Sequence, residues 1–263
     1  MLSILGIVAF AAIPFPGKSQ TSLVEKSVVY QSEGANLHGY VVYDSKIKGK
    51  RPAVLVVHEW WGLNDYAKMR ARKLAELGYI AMAVDMFGDG KNAKNPQEAQ
   101  ELTKPFYTNS GLSKQRFDAA LTKIKEFPET DAQNVLAIGY CFGGSVVLNA
   151  AKTGSDLKGV VSFHGGLSGV PADKKLLKAK ILVCHGGADK FISDNDIHTF
   201  RHQLDSIGTD YTFKVYANST HAFTNPESDT NAKNFGMPIA YNAEADKASW
   251  NDMKEFFAKV LKK

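Results

Sequence analysis

Two cysteines, Cys141 and Cys184, are all that this chain of 263 residues contains. A disulfide framework is therefore excluded, and with no Cys-x-x-Cys pair there is no dithiol redox motif. No Gly-x-Ser-x-Gly occurs, so a serine on a sharp strand-to-helix elbow has no candidate. Arginine clusters and basic stripes interleaved with aromatics are also missing. The formal charge of +5 comes from lysines alternating with acids along helical segments, the pattern of a solvated surface and not of a nucleic-acid face. His58-Glu59 is not followed by a second histidine at zincin spacing. Beyond the first residues, no apolar run approaches the roughly 20 residues of a membrane span.

The N-terminus is apolar from Met1 to Pro14 and turns polar at Gly17-Lys18-Ser19-Gln20-Thr21. Residues 1–22 resemble a secretory signal or leader that lacks the positive n-region, with Ala9-Phe10-Ala11 and the Ser19-Gln20 neighbourhood as cleavage sites. The expectation is export, periplasmic or secreted, if this segment is a signal, and a cytoplasmic protein otherwise. Residues 23–263 read as one domain, monomeric or in a small homo-oligomer, with no membrane span in the mature chain.

Two strands, Ser27–Gln31 and Leu37–Tyr43, flank a turn at Gly34-Ala35-Asn36 and predict an antiparallel edge hairpin. From Pro52 onward the pattern becomes apolar strand, glycine-bearing loop, amphipathic helix, repeated. Strands are expected at 53–57, 79–84, 135–138, 159–163, 181–184 and 211–216, with helices at 65–77, 96–106, 114–127, 142–151, 194–206 and 244–261. Continuous apolar strands are covered on both faces, so the class is α/β: a mostly parallel, doubly wound sheet with helices on both faces. Ligands in such sheets gather at the carboxyl ends of the strands.

At one such end stands Gly139-Tyr140-Cys141-Phe142-Gly143, between an apolar strand and a helix. The glycines suit a tight elbow, and the residue it would expose is a thiol. Asp189 follows the strand at 181–184, and His221 follows the strand at 211–216. Nucleophile, acid, histidine is the chain order of the α/β-hydrolase triad. A thiolate attacks an acyl carbon, an imidazole manages the proton, and a carboxylate fixes the imidazole tautomer. The oxyanion would be met by the backbone N–H of Phe142 and by that of Trp60, in the loop His58-Glu59-Trp60-Trp61-Gly62. Trp61, Tyr140, His164 and Phe223 are expected to line a substrate pocket. His58, His164 and His185 all follow strands, but loop histidines ordinarily bond backbone, so no metal site is expected.

Together, Gly139-Tyr140-Cys141-Phe142-Gly143-Gly144, His185-Gly186-Gly187-Ala188-Asp189, Thr220-His221-Ala222-Phe223 and His58-Glu59 resemble the dienelactone hydrolase family. The resemblance runs from about Ser27 to the C-terminus. It implies an α/β-hydrolase fold, a Cys141-His221-Asp189 triad without metal or cofactor, and cleavage of a small-molecule ester or lactone. It also assigns Glu59 as the carboxylate that holds the resting thiol away from the imidazole until substrate arrives. One departure bears on the substrate. Relatives that cleave dienelactone hold its carboxylate with arginines, whereas Phe223-Thr224-Asn225-Pro226 has none and the stretch 86–104 offers only lysines. A thioesterase or acyl transferase on the same triad, and a scaffold that binds without catalysis, are the alternative functions.

Overall fold

The computed structural model describes residues 22–262. The leader expected over 1–22 lies, but for Ser22, outside them. An eight-stranded sheet carries the architecture. Strands β1 (Leu23–Ser32) and β2 (Ala35–Asp44) form the edge hairpin. Six parallel strands follow in the chain: β3 (Arg51–Val57), β4 (Ile80–Val84), β5 (Thr130–Tyr140), β6 (Gly159–Phe163), β7 (Lys180–Gly186) and β8 (Tyr211–Tyr216). The order across the sheet is β1-β2-β4-β3-β5-β6-β7-β8, with β2 antiparallel to β4. The hairpin turn is tighter than expected: Ser32 pairs with Ala35, leaving Glu33 and Gly34 alone at φ 48° and 75°. A two-residue turn with both φ positive matches the twist of the flanking strands.

Among the described residues the seven helices are α1 (Asp65–Glu76), α2 (Pro96–Thr108), α3 (Ser110–Lys125), α4 (Phe142–Lys152), α5 (Asp194–Ser206), α6 (Ser228–Phe235) and α7 (Ala243–Leu261). Side-chain oxygens start most of them: Asn64, Asn95, Asn109 and Asn242 each accept a backbone N–H from the first turn, and Ser193 and Asp196 form a capping box. Asn109 both ends α2 and caps α3, so α3 begins four residues before the expected Lys114. The sequence pattern did not anticipate α6, a short and mostly polar helix.

Strand alternation divides the core into two layers. Ala53, Leu55 and Val57 of β3 belong to the apolar cluster that includes residues of α2 to α5. Val54 and Val56 join the cluster containing α1 and α7. Parallel register then aligns the strand ends: Val57 lies beside Gly139, Gly139 beside Ser162, and Phe163 beside Cys184. The chain that leaves β3, β5, β6 and β7 emerges on one edge, which is where the polar residues collect.

Candidate active site

The elbow after β5 exists because three glycines have no side chain. A Cβ on Gly139 would stand 2.0 Å from the carbonyl oxygen of Gly143. One on Gly143 would meet the Val57 oxygen at 2.3 Å, and one on Gly144 the Ser162 hydroxyl at 2.6 Å. With those approaches open, Cys141 takes φ 52° and ψ −114°, a backbone state that side-chain-bearing residues rarely adopt. Holding it costs roughly 1–3 kcal/mol. Its N–H donates to the Phe163 carbonyl at 3.0 Å and to His164 Nδ1 at 3.2 Å, which fixes the strained peptide. Phe142 is the first residue of α4, so its N–H has no acceptor within the helix.

Asp189 and His221 arrive from the neighbouring loops. Asp189 Oδ1 accepts the Phe191 N–H at 2.8 Å, and Oδ2 accepts His221 Nδ1–H at 2.8 Å. That pairing commits the Nδ1 proton and leaves the other ring nitrogen for the thiol. Burial alone would hold His221 neutral. The Cys141 charge, the Asp189 hydrogen bond and a hydrogen bond with Cys141 outweigh it and push the imidazole up to about 10. Phe191 packs edge-on against the His221 ring at 5.1 Å.

Under the site runs a buried polar chain. His164 Nδ1 accepts from Cys141, so Nε2 carries the proton and donates to Thr224 Oγ1 at 2.7 Å; that hydroxyl is 2.6 Å from the Tyr66 hydroxyl. Burial, then the positive charge of His221, holds His164 well below the ordinary histidine range, in keeping with this neutral tautomer. Arg70 Nη2 donates to the Thr224 carbonyl and to Asp246 Oδ1, both at 2.6 Å. Its guanidinium carbon lies 5.1 Å from the ring centre of Tyr66, 5.3 Å from Tyr140 and 5.4 Å from Trp250. Tyr140, His164 and Phe223, expected in the pocket wall, are instead fully buried behind it. Tyr140 stacks on Phe163 at 4.8 Å, and Phe223 packs edge-on to His164. His58 is also satisfied locally: Nδ1 donates to the Glu59 carbonyl, Nε2 accepts the Met86 N–H, and burial lowers it to about 4.

The thiol and the imidazole open on a cavity of about 250 Å³. Its walls include Trp60 and Trp61 from the β3–α1 loop, Tyr107 from α2, Phe142, Phe191, and, from the segment after His221, Asn225, Asn231, Met237 and Ile239. Among the described residues, no lysine or arginine lines it. Glu59 does, with Oε2 accepting from Asn225 Nδ2 at 2.6 Å and Oε1 without a partner. Burial pushes this carboxyl up to about 7, against the opposing pull of the Asn225 bond and of His221. Glu59 is thus held by Asn225 on one of its two oxygens. Tyr107, Phe191, Asn225, Asn231, Met237 and Ile239 carry no sequence motif; only Asn225 lay in a stretch inspected for substrate contacts. Cys184 is buried in β7, with its sulfur 3.5 Å from the Tyr216 hydroxyl.

Comparison with known proteins identifies the family and the fold. The sequence profile of the dienelactone hydrolase family matches residues 37–261. A solved dienelactone hydrolase-like promiscuous phosphotriesterase from metagenomic libraries is 33% identical and superposes with a TM-score of 0.86, covering 91% of this chain and 99% of its own. Another solved structure, named m3DLH, is 32% identical with a TM-score of 0.87 over 92% of this chain and all of its own. Protein usf of Aquifex pyrophilus is 28% identical over 239 residues, 89% of this chain and 98% of its own. The chain belongs to the dienelactone hydrolase family, within the α/β-hydrolase fold, and is a hydrolase acting on ester or lactone bonds.

Proposed function

We propose that the protein cleaves a small, uncharged ester or lactone through Cys141, His221 and Asp189, by way of a thioacyl intermediate on Cys141. The supporting observation is the His221 ring, bonded to Asp189 through Nδ1 and lining the same cavity as the Cys141 thiol. The Cys141 thiolate attacks the acyl carbon, and the oxyanion is met by the N–H groups of Phe142 and Trp60. The carbon–oxygen bond breaks, and the departing alkoxide takes the proton of the His221 imidazolium. Water then gives a proton back to His221 and attacks the thioester. The acid leaves, and the thiolate–imidazolium pair is restored. Asp189 keeps the Nδ1 proton in place throughout.

A cavity wall without lysine or arginine argues for neutral substrates, since a carboxylate there would be desolvated with no lysine or arginine to pair with and with the Glu59 carboxyl beside it. Glu59 keeps its gating role within this proposal: its unpartnered Oε1 is free to accept a thiol proton when Cys141 turns away from His221. Export with residues 1–22 as the signal belongs to the same proposal. The test is hydrolysis of p-nitrophenyl acetate, p-nitrophenyl butyrate and a lactone panel by the protein and by Cys141→Ala. Turnover that depends on Cys141 is expected. Equal turnover in both proteins would contradict the assignment.

A further inference from the structure

Beside the catalytic cavity lies a second hollow, of about 310 Å³, and the two share Trp61 and Asn231 as a common wall. The inner space is walled mostly by apolar groups. The outer one is different: Asn64, Asn92, Asn231 and Asn234 bring four carboxamides around Trp61 and Phe235. We propose that this hollow is a subsite for the alcohol portion of the substrate, and that the alcohol is a polyol of sugar type. The inference rests on the hydrolase function proposed above and adds the leaving group to it.

The chemistry of the wall carries the proposal. A carboxamide is donor and acceptor at once, as a hydroxyl is, so each can satisfy the other in both directions. Here the roles are partly assigned already. Asn64 spends its oxygen on the Ala67 N–H and keeps its amide protons; Asn92 donates to the Gly90 carbonyl at 3.0 Å and keeps its oxygen. Asn231 and Asn234 stand three residues apart on α6 and so share a face. Trp61 and Phe235 lie 5.8 Å apart, tilted by 32°, and form one apolar floor. The C–H face of a polyol packs against such a floor while its hydroxyls turn to the amides. The charged side chains at the rim are Lys94 and Glu227, one of each sign, so no net charge is recognised.

The floor is also held still. Gly62 and Asn92 form an antiparallel bridge, and Ala93 N–H donates to the Trp61 carbonyl at 2.9 Å. Gly62 has φ 98°, and a Cβ there would meet the Asn92 side-chain oxygen and the Lys91 carbonyl at 2.6 Å. The two loops therefore close on each other only with glycine at 62. A polyol ester seated across Trp61 puts its acyl group beside Cys141 and its alcohol in the outer hollow. That alcohol leaves with the proton of His221, as in the step already described.

The experiment compares two acetate esters of primary alcohols, 6-O-acetylglucose and ethyl acetate, which differ in the hydroxyls offered to the subsite. The sugar ester is expected to have a kcat/KM about tenfold higher or more, the scale of one or two net hydrogen bonds. Asn92→Leu and Asn234→Leu should each shrink that ratio about fivefold or more, with thermal unfolding used to confirm folded proteins. Equal kcat/KM for the two esters, or a ratio unmoved by both variants, overturns the proposal. If no ester is hydrolysed, the hydrolase function fails, and saturation-transfer NMR on Cys141→Ala with 6-O-acetylglucose decides the subsite separately. Transfer to the sugar-ring protons that Asn234→Leu removes supports it; no transfer overturns it.

Discussion

The strand ends of β5 and β7 and the segment 217–242 both supply walls of the cavity, but they are held in place by different means. Cys141 and Asp189 are set by the sheet: register fixes where the backbone emerges, and the elbow glycines fix how it turns. The 217–242 segment contains no strand, and side chains reaching from elsewhere anchor it. Arg70 holds the Thr224 carbonyl, Tyr66 and His164 hold its hydroxyl, and Glu59 holds Asn225. The comparison teaches that the nucleophile and its acid are as rigid as the fold. The histidine and the cavity wall are only as rigid as a buried polar network.

Disturbing the sheet-held side should have the largest effect. Asp189→Asn leaves the backbone intact but presents the wrong hydrogen-bonding group to His221 Nδ1, and kcat for p-nitrophenyl acetate is expected to fall by up to about 10⁴. A loss of less than tenfold, measured on a protein with unchanged urea midpoint, would mean that His221 is oriented by the network instead. On the tethered side, Arg70→Met removes the charge that faces Asp246 and frees the Thr224 carbonyl. Removing one partner of a buried pair typically destabilises by about 3–5 kcal/mol. Urea unfolding should show that loss, accompanied by a lower kcat because His221 lies three residues before Thr224 in the same short loop, and Arg70 holds Thr224 to the rest of the fold. Stability lost with kcat untouched would break the proposed link between tether and histidine.

How far the sequence could be read follows the same division. The parallel strands, the elbow and the order Cys141, Asp189, His221 were legible because each rests on local requirements: apolar runs, obligatory glycines, polar residues that end strands. Tyr140 and Phe223 stand one and two residues from Cys141 and His221, and His164 follows a strand; which side chain faces the cavity depends on the positive φ of Cys141, His164 and Ala222, 52°, 40° and 58°, and ordinary strand alternation does not report those angles. The network joining Arg70, Thr224 and Asp246 was not legible, since Arg70 reaches its two partners across 154 and 176 residues of chain. The helix α6 was missed because its face toward the cavity is asparagine, with no apolar stripe to betray it.

A smaller effect sharpens the comparison at Glu59, where the β3 loop meets the tethered segment. Its carboxyl is raised from 4.5 to about 7 by burial, opposed by the Asn225 bond. A carboxyl raised on folding binds its proton more tightly in the folded state, so its contribution is fully present below pH 4.5 and is lost as pH rises through 7. Glu59→Gln, which removes the titration, should therefore be more stable than the natural protein at pH 8 by up to about 3 kcal/mol, a gap that narrows as pH falls toward 5. Unfolding midpoints across that range check it; a gap independent of pH would show that Glu59 is not desolvated. The smallest effect is expected at Cys184, whose side chain is buried in β7 and takes no part in the cavity wall. Cys184→Ala should cost about 1 kcal/mol and leave turnover unaltered, as read by calorimetry and the p-nitrophenyl acetate assay.

The central claim is that acyl groups pass through Cys141. Rapid quench of the p-nitrophenyl butyrate reaction in acid, followed by peptide mass spectrometry, tests it most directly. A butyryl group on the peptide carrying Cys141, absent from the one carrying Cys184 and formed and lost at rates consistent with kcat, is the predicted result. Steady turnover with no adduct on Cys141, together with undiminished turnover by Cys141→Ala, would contradict it.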